Sequence, residues 1–172
     1  NSDTHKEDFL AMNPNAKIPL LKTEEGTCLP ESNAILNYLA DGSDYLPGDR
    51  MARARVLQWQ FFEQYSHEPT VAVARFIRLF LKSPQERLLE LEQKQVGAHK
   101  ALAVMERQLL ESAYIAGEQF TIADISLYAY THVADDAAIS LNDYPGIKNW
   151  LARIESRPRH LTMQQASEKI VK

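Results

Sequence analysis

Two short segments near the start of the chain hold the residue types that best suit ligand binding. In the first, Lys17 and Ile18 precede Pro19, and a proline that enters a strand cannot donate to the sheet, so it marks an edge strand or a cis bond. A cis bond would turn the chain and expose the backbone N–H and C=O of Ile18, which can pair with an extended peptide. Because only about 5 to 6% of X-Pro bonds in folded proteins are cis, the residues by themselves favour an ordinary edge proline.

The second segment is Pro30-Glu31-Ser32-Asn33, which stands where a helix is predicted to begin. Unpaired backbone amides and the positive end of the helix dipole favour a carboxylate at such a place, and Ser32 adds a hydroxyl donor. Taken alone, the segment is better explained by Ser32 as a plain helix cap, with Glu31 complementing the dipole. Together with Lys17 and strand pairing one hairpin away, it suits a small anionic peptide.

The remaining nucleophiles and metal-binding residue types give weaker signals. Cys28 is the single cysteine, and a lone cysteine in an apolar strand is usually a small buried hydrophobic residue. The 5 histidines show neither the HExxH pattern nor a Cys/His cluster. The sequence therefore predicts neither a cysteine nucleophile nor a metal site.

The elements that must position the two segments follow from apolar periodicity and turn residues. Two β-prone runs, IPLLK and TCLP, flank a turn in which Gly26 supplies a positive φ, and this pattern predicts a hairpin. The stretch ESNAILNYLA then has helical spacing, and DGSDYLPGD is rich in turn formers. From Arg50 onward only helices are predicted, with a kink at Pro69.

Two later helices begin with capping signals. The run Ser83-Pro84-Gln85-Glu86 combines a capping serine, a first-turn proline and a glutamate that completes a capping box. In the other helix, Thr121 and Asp124 form a capping box, and Phe120 can pack on Ile125 as a hydrophobic staple. Because folding alone explains these residues, Asp124 is a poor catalytic candidate.

Length and composition exclude several classes of protein. The 172 residues, 45% hydrophobic and 24% charged, are typical of a globular protein with a real core. A net charge of -4 with scattered basic residues argues against a nucleic-acid partner, and no apolar run approaches the roughly 18 residues of a membrane span. The polar N-terminal stretch shows no signal-peptide pattern, and a single cysteine fits a reducing compartment, so the expected location is the cytoplasm, away from membranes.

Four stretches of the sequence together resemble the glutathione transferase family. AMNPNAKIPLL resembles its loop, cis-proline and strand, LPESNAILNYL its glutathione-binding strand and helix, YLPGDRMARARVLQW its interdomain linker, and FTIADISLYAY its helical-domain capping motif. The resemblance implies an α+β fold: a truncated thioredoxin-like domain of β-hairpin plus helix over residues 1–42, a linker over 43–49 and an all-α helical bundle domain over 50–172. It also implies a βαβ unit upstream of residue 1 with the thiol-activating serine, tyrosine or cysteine, so the catalytic residue is unknown.

The resemblance assigns roles in glutathione binding to Lys17, Ile18, Pro19, Glu31 and Ser32. Glu31 and Ser32 would hold the γ-glutamyl end, and Ile18 would pair with the cysteinyl backbone. Lys17 would attract the glycyl carboxylate, and Pro19 would fix the docking edge.

The family builds an apolar electrophile site beside glutathione, and residues 59–68, rich in aromatics, lie at the matching place. Tyr65, His67 and Arg75 are the candidates for this site. Packing in the core is the plainer explanation for most of the aromatics, and an ion pair or solvent for Arg75. Tyr65 and His67 differ in direction by about 200° on a regular helix, so they cannot both face one cleft unless the helix is distorted.

The resemblance implies an enzyme, a glutathione transferase active in detoxification, which lowers the thiol pKa and positions the thiolate beside a small apolar electrophile. Glutathione would be a substrate, no metal would be needed, and two copies would form a homodimer. Without the upstream unit, activity is expected to be much reduced or absent. Two alternatives stay open: a glutathione-dependent thiol reductase or peroxidase, and a noncatalytic interaction module.

Overall fold

The computed structural model describes residues 2–162 and 165–166 of the chain. The first part of the fold is a two-stranded sheet flanked in sequence by helices. Its elements are a 3-10 turn at Ser2–His5, helix α1 at Glu7–Met12, strand β1 at Leu20–Lys22, strand β2 at Cys28–Pro30 and helix α2 at Ser32–Ala40. Strands β1 and β2 pair antiparallel with Leu21 opposite Leu29, which confirms the predicted hairpin.

The hairpin closes through the turn that contains Gly26. This glycine has a φ of 86°, and its N–H donates to the Thr23 carbonyl at 2.9 Å. The N–H of Thr23 in turn donates to the Thr27 carbonyl at 2.9 Å. Because residues with a side chain rarely adopt this φ, glycine is the residue that the turn requires, as predicted.

The second part of the described chain is built mainly from helices. They are α3 at Arg50–Phe62, α4 at Glu68–Leu79, α5 at Leu88–Glu111, α6 at Ile122–Thr131 and α7 at Pro145–Glu155. The observed order of hairpin, helix, linker and helices is the predicted one.

Helix α5 lies at the centre of the helical core, because α4 and α7 both pack against it. Its apolar stripe includes Leu102 and Met105, which are fully buried, and α7 contributes the fully buried Trp150. Full burial of a large apolar side chain stabilises a fold by roughly 1.5 to 3 kcal/mol. This core gives α4 and α6 a rigid support.

The distortion expected at Pro69 is instead a π-helical turn over Glu63–His67, between α3 and α4. The N–H of Glu68 donates to the carbonyl of Glu63, five residues back. Helix α3, the π turn and α4 follow one another without a break, and Pro69, the second residue of α4, has no N–H to donate back into the π turn. The predicted distortion is therefore present as a π turn in the residues just before Pro69, and the extra residue in that turn changes which side chains face the first part of the fold.

The two predicted capping boxes have different outcomes. The box of Thr121 and Asp124 is present at the start of α6 and is confirmed. The box at Ser83 is wrong, because a 3-10 turn at Pro84–Arg87 precedes α5 and Ser83 makes no side-chain cap bond. Instead, the N–H of Glu86 donates to the Ser83 carbonyl at 3.2 Å, which closes a tighter turn than an α-helix has.

The linker between the two parts is anchored on the start of α6. The carbonyl of Tyr45 accepts the N–H of Ile122 at 3.0 Å, and the rings of Tyr45 and Phe120 meet edge to face with centroids 5.9 Å apart. The hairpin and α2 are therefore held against the helical part through the linker as well as through direct packing. Across the described ranges, no helix combines the length and apolar character that a membrane crossing requires.

Candidate functional site

A cavity of about 670 Å³ lies between the loop before β1 and the start of α2 on one side and the π turn, α4 and α6 on the other. The first part of the fold lines it with all five residues that the resemblance assigned to glutathione: Lys17, Ile18, Pro19, Glu31 and Ser32. The hairpin brings the two segments together because one precedes β1 and the other follows β2. The residues selected from the sequence thus share one wall of a single cavity.

The loop before β1 is shaped by the buried side chain of Asn13. Its Nδ2 donates to the Lys17 carbonyl at 2.7 Å, and its Oδ1 accepts the Asn15 N–H at 3.1 Å. The Ile18–Pro19 bond is cis, as the resemblance implied. The Ile18 side chain is 73% exposed, and no hydrogen bond within the described ranges occupies its backbone groups. This backbone is therefore open to an extended ligand.

The start of α2 opens on the same cavity without a side-chain cap. Glu31 is the residue before the first helical turn, its φ is 72°, and its side chain accepts no capping hydrogen bond. Ser32 is the first helical residue, is exposed, and its hydroxyl has no hydrogen-bond partner within the described part of the chain. The plain capping role that the residues alone favoured for Ser32 is contradicted. The uncapped amides and the free hydroxyl are donors without protein partners at this helix start, and such donors favour an anion.

A buried carboxylate lies directly beneath that helix start. Glu63 in the π turn is only 4% exposed, and its Oε2 accepts from Asn33 Nδ2 at 3.1 Å and from Gln64 Nε2 at 2.7 Å. Burial raises the pKa of Glu63, while the two amide donors act in the opposite direction. Glu63 also lines the cavity, so it is close to any ligand bound there.

Amide and hydroxyl side chains extend this network across three helices. The Oδ1 of Asn33 accepts from Gln60 Nε2 at 3.2 Å and from Ser126 Oγ at 2.8 Å, and Asn37 Nδ2 donates to Gln60 Oε1 at 2.8 Å. Asn33 therefore ties α2 to both α3 and α6. The sequence reasoning missed this network, although polar residues at helical spacing, Asn33 with Asn37 and Gln60 with Glu63, were a visible signal of a buried polar face.

The three electrophile-site candidates have three different surroundings. Arg75 lines the cavity, and its Nε donates to Asp136 Oδ2 at 2.9 Å. Tyr65 is 89% exposed and lies outside the cavity wall. His67 is fully buried in the helical core, where its Nε2 lies 2.9 Å from Thr131 Oγ1 and burial lowers its pKa to about 4. Of the three, the structure brings only Arg75 to the cavity.

Tyr130 on α6 and Glu68 at the start of α4 also line the cavity, and the sequence reasoning did not select them. Burial raises the pKa of Tyr130, and the nearby Glu68 carboxylate raises it further. The apolar periodicity of the sequence could not identify Tyr130 as a cavity residue. Tyr130 follows the capping motif of α6 in the sequence, where an aromatic residue is expected to pack in the core.

The site has no visible thiol or metal chemistry of its own within the described residues. Cys28 lies half-buried on β2 and is outside the cavity wall. No group of three or more His, Cys, Asp and Glu side chains in residues 2–162 and 165–166 could hold a metal ion.

Models of known families match both parts of the chain. The glutathione S-transferase N-terminal domain matches residues 1–41, and the glutathione S-transferase C-terminal domain matches residues 89–153. A solved glutathione S-transferase from Pseudomonas fluorescens is 58% identical with a TM-score of 0.92, and the match covers 94% of this chain and 80% of that one. The fold is thus a truncated thioredoxin-like domain followed by an all-α domain, as predicted.

Two curated relatives match most of the chain. The disulfide-bond oxidoreductase YfcG of Escherichia coli is 32% identical over 158 residues, which is 88% of this chain and 73% of the relative. An uncharacterized GST-like protein of Streptococcus mutans is 34% identical over 92% of this chain, but the chain spans only 64% of that relative's length. With both domain models and this cavity in place, the chain belongs to the glutathione S-transferase family.

Proposed function

We propose that the cavity binds glutathione and that the protein transfers the glutathione thiol to a small electrophile. One observation carries the proposal: the uncapped start of α2 opens on the same cavity as Lys17 and the unoccupied backbone of Ile18. A γ-glutamyl carboxylate suits the helix start, an extended cysteinyl backbone suits Ile18, and a terminal carboxylate suits a lysine. A small anionic peptide satisfies all three together.

The residues act by binding and orienting the tripeptide. Ser32 and the first amides of α2 hold the γ-glutamyl carboxylate, while Glu31 attracts the adjacent ammonium. Ile18 pairs with the cysteinyl backbone, and the turn at Pro19 keeps that edge clear of the strand pairing of β1. Lys17 attracts the glycyl carboxylate. Holding the ligand at both ends fixes the sulfur against the α4 and α6 wall, which lowers the entropic cost of reaction.

The group that activates the thiol is proposed to lie in the βαβ unit that the resemblance places before residue 1. The hydroxyls on the described cavity wall are those of Ser32, Ser126 and Tyr130. Ser32 has a proposed binding role, and Ser126 donates to Asn33 at 2.8 Å. Tyr130 lies in α6, whereas the resemblance places the activating residue at a strand-to-helix turn of the first domain. The chain alone is therefore expected to bind glutathione and to conjugate it slowly or not at all.

Glutathione-dependent thiol exchange is the second candidate function, and the similarity to a disulfide-bond oxidoreductase favours it. Both functions need the same glutathione-binding site and differ only in the second substrate and in the activating group.

We also propose that the protein is a cytoplasmic homodimer. Leu57 and Phe61 of α3 are exposed beside α2, where they line a groove of about 350 Å³. A second copy of the chain would cover this apolar surface.

Calorimetric titration with glutathione is the first test of the proposal. Glutathione should bind, and an analogue without the γ-glutamyl carboxylate should bind at least about tenfold more weakly, because it loses a hydrogen-bonded charged group. Equal affinity for both ligands would refute the proposal that the start of α2 binds the γ-glutamyl carboxylate.

Activity assays of the full-length protein separate the two candidate functions. Turnover of an aryl chloride indicates conjugation, and turnover of a small disulfide indicates thiol exchange. Light scattering tests the homodimer.

A further inference from the structure

The π turn between α3 and α4 determines how the buried side chains of the two helices line up. Glu63, His67 and Val71 are buried at two successive steps of four residues. On a regular α-helix, two such steps would rotate the third side chain by about 80° from the first. The wider π turn takes up part of this rotation. Glu63 can therefore contact Asn33 of α2 while Val71 packs in the helical core.

Thr70, in the first turn of α4, holds the end of the π turn. Its hydroxyl donates to the carbonyls of Ser66 and His67, at 3.1 and 2.7 Å. Bonds of this kind, from a threonine hydroxyl back to the preceding turn, often bend a helix. The Thr70 hydroxyl therefore stabilises the wide turn in the place where it is found.

Gly97, inside α5, makes room for the methyl group of Thr70. A methyl group added at Gly97 would lie 2.7 Å from Thr70 Cγ2, far inside van der Waals contact. Glycine is a poorer helix former than alanine, so α5 by itself gains nothing from this residue. The missing side chain instead lets α5 approach Thr70 and contact the π turn.

The π turn is connected to the start of α2 through Glu63 and Asn33. Glu63 Oε2 accepts from Asn33 Nδ2 at 3.1 Å, and the same Nδ2 donates to the Gln60 carbonyl at 3.3 Å. Asn33 is the second residue of α2, directly after Ser32. A shift of the π turn would therefore move the side chains that hold the first turn of α2.

We propose that Thr70 and Gly97 are positioning residues of the glutathione site, although neither lines the cavity. Thr70 fixes the π turn through its hydroxyl, and Gly97 leaves the Thr70 methyl group its space. Together they keep Glu63 and Asn33 beneath the first amides of α2. This inference rests on the proposed function, because it assumes that the start of α2 binds the γ-glutamyl carboxylate.

Calorimetric titration of three variants tests the contact between the two residues. Gly97→Ala pushes the Thr70 methyl group away, so it should weaken glutathione by about three- to tenfold. Thr70→Ser removes that methyl group and keeps the hydroxyl, so its affinity should stay within about twofold of the parent value. The double variant should recover most of the affinity that Gly97→Ala loses, because the clash is gone. An analogue without the γ-glutamyl carboxylate should bind the parent and Gly97→Ala equally.

Two further variants separate positioning from general damage. Thr70→Ala adds no bulk and removes the hydroxyl bonds to the π turn, so it should also weaken glutathione by about three- to tenfold. Gly146→Ala is the matched control, because its added methyl group would lie 3.1 Å from the Glu106 carboxylate at the start of α7, away from the cavity wall. It should lower the urea midpoint and leave glutathione affinity unchanged.

Parent-like binding by Thr70→Ala, or a double variant that binds no better than Gly97→Ala, would overturn the inference and leave the proposed function standing. An affinity loss in Gly146→Ala as large as that in Gly97→Ala would also overturn it, because general damage would then explain both. If Gly97→Ala does not fold, the comparison of Thr70→Ala with Thr70→Ser decides. If the parent protein does not bind glutathione, the proposed function fails and this inference fails with it.

Discussion

The starts of helices α2 and α6 both carry polar residues suited to capping. Protein groups satisfy the start of α6, whereas the start of α2 opens on the cavity. At α6, Thr121 Oγ1 accepts the Ala123 N–H at 3.3 Å, and Asp124 Oδ2 accepts the Thr121 N–H at 2.9 Å. The carbonyl of Tyr45 accepts the Ile122 N–H at 3.0 Å. Thr121 and Asp124 are buried, so protein groups already satisfy this helix start.

The start of α2 has none of these partners within the described residues. Glu31 makes no capping bond, the Ser32 hydroxyl is unpaired, and both residues line the cavity. Sequence alone suggested a cap in both places. The difference teaches that a polar residue at a helix start indicates a ligand site only when protein groups do not already satisfy it and a cavity lies in front of it.

The largest expected effect tests the partnered side of this comparison. Asp124 is fully buried, and its Oδ1 accepts from Ile115 N–H at 2.9 Å and from Trp150 Nε1–H at 2.8 Å. Asp124→Ala leaves these donors and the Thr121 N–H without an acceptor, so it should lower the free energy of unfolding by roughly 3 kcal/mol or more. Urea denaturation measures this loss. Asp143→Ala, at an exposed carboxylate, is the control and should change stability little.

His67 sharpens the comparison, because its buried Nδ1 has no partner in the described chain although His67 does not line the cavity. Thr131 Oγ1 donates to the Leu127 carbonyl at 2.7 Å and so accepts from His67 Nε2–H, which leaves the buried Nδ1 without a partner in the described chain. Burial lowers the His67 pKa from 6.5 to about 4. Below pH 6.5 the unfolded state binds a proton that the folded state excludes, so stability falls as pH falls and the loss levels off near pH 4.

The expected slope is about 1.4 kcal/mol per pH unit, or roughly 3 kcal/mol across that window. Urea unfolding of the parent and of His67→Gln at several pH values from 7.5 to about 4 measures it. The variant should lose this part of the pH dependence, whereas His99→Gln, at an exposed histidine, should keep it. An unchanged slope in His67→Gln would show that other groups cause the acid sensitivity.

Much of this fold could be predicted because local signals and packing agree. Gly26 marks the hairpin turn, the α5 stripe marks the core, and Thr121 with Asp124 marks the start of α6. The failure at Ser83 came from a local signal that nothing in the fold reinforces, since a 3-10 turn satisfies the same residues.

The cavity was predictable on the hairpin side and much less so on the helical side. Lys17 and Ser32 flank the hairpin, whose turn Gly26 marks, whereas the cis bond at Pro19 was implied by the family resemblance and not by the residues alone. The π turn inserts a residue between α3 and α4, so the directions of Tyr65, His67 and Arg75 do not follow from regular helical spacing. The surroundings of Tyr130 depend on the packing of α6 against α4, which no local pattern encodes.

The next prediction tests the unpartnered side of the comparison. Because Ser32 caps nothing, Ser32→Ala should leave the free energy of unfolding nearly unchanged. It should weaken glutathione by about tenfold, because the hydroxyl donates to a charged carboxylate while the helix amides still hold part of the anion. Calorimetry and urea denaturation of Ser32→Ala and Ser32→Thr, which keeps a hydroxyl, measure both quantities. A loss of stability without a loss of affinity would assign Ser32 to the fold and remove the γ-glutamyl pocket.

The smallest effect is expected at Thr121, the residue before the first turn of α6. Its Oγ1 contacts the Ala123 N–H and Asp124 Oδ2, each at a long 3.3 Å, while Asp124 still holds the Thr121 N–H at 2.9 Å. Thr121→Ala should therefore lower the free energy of unfolding by about 1 kcal/mol, within the usual range for a lost helix cap. Thr121→Ser keeps the hydroxyl and should recover most of that loss. Glutathione affinity should stay at the parent value in both variants, because Thr121 is buried away from the cavity wall. Should Thr121→Ala reduce affinity as strongly as Ser32→Ala does, the two helix starts would be coupled through Ser126 and Asn33, and the separation between a structural and a ligand-binding helix start would not hold.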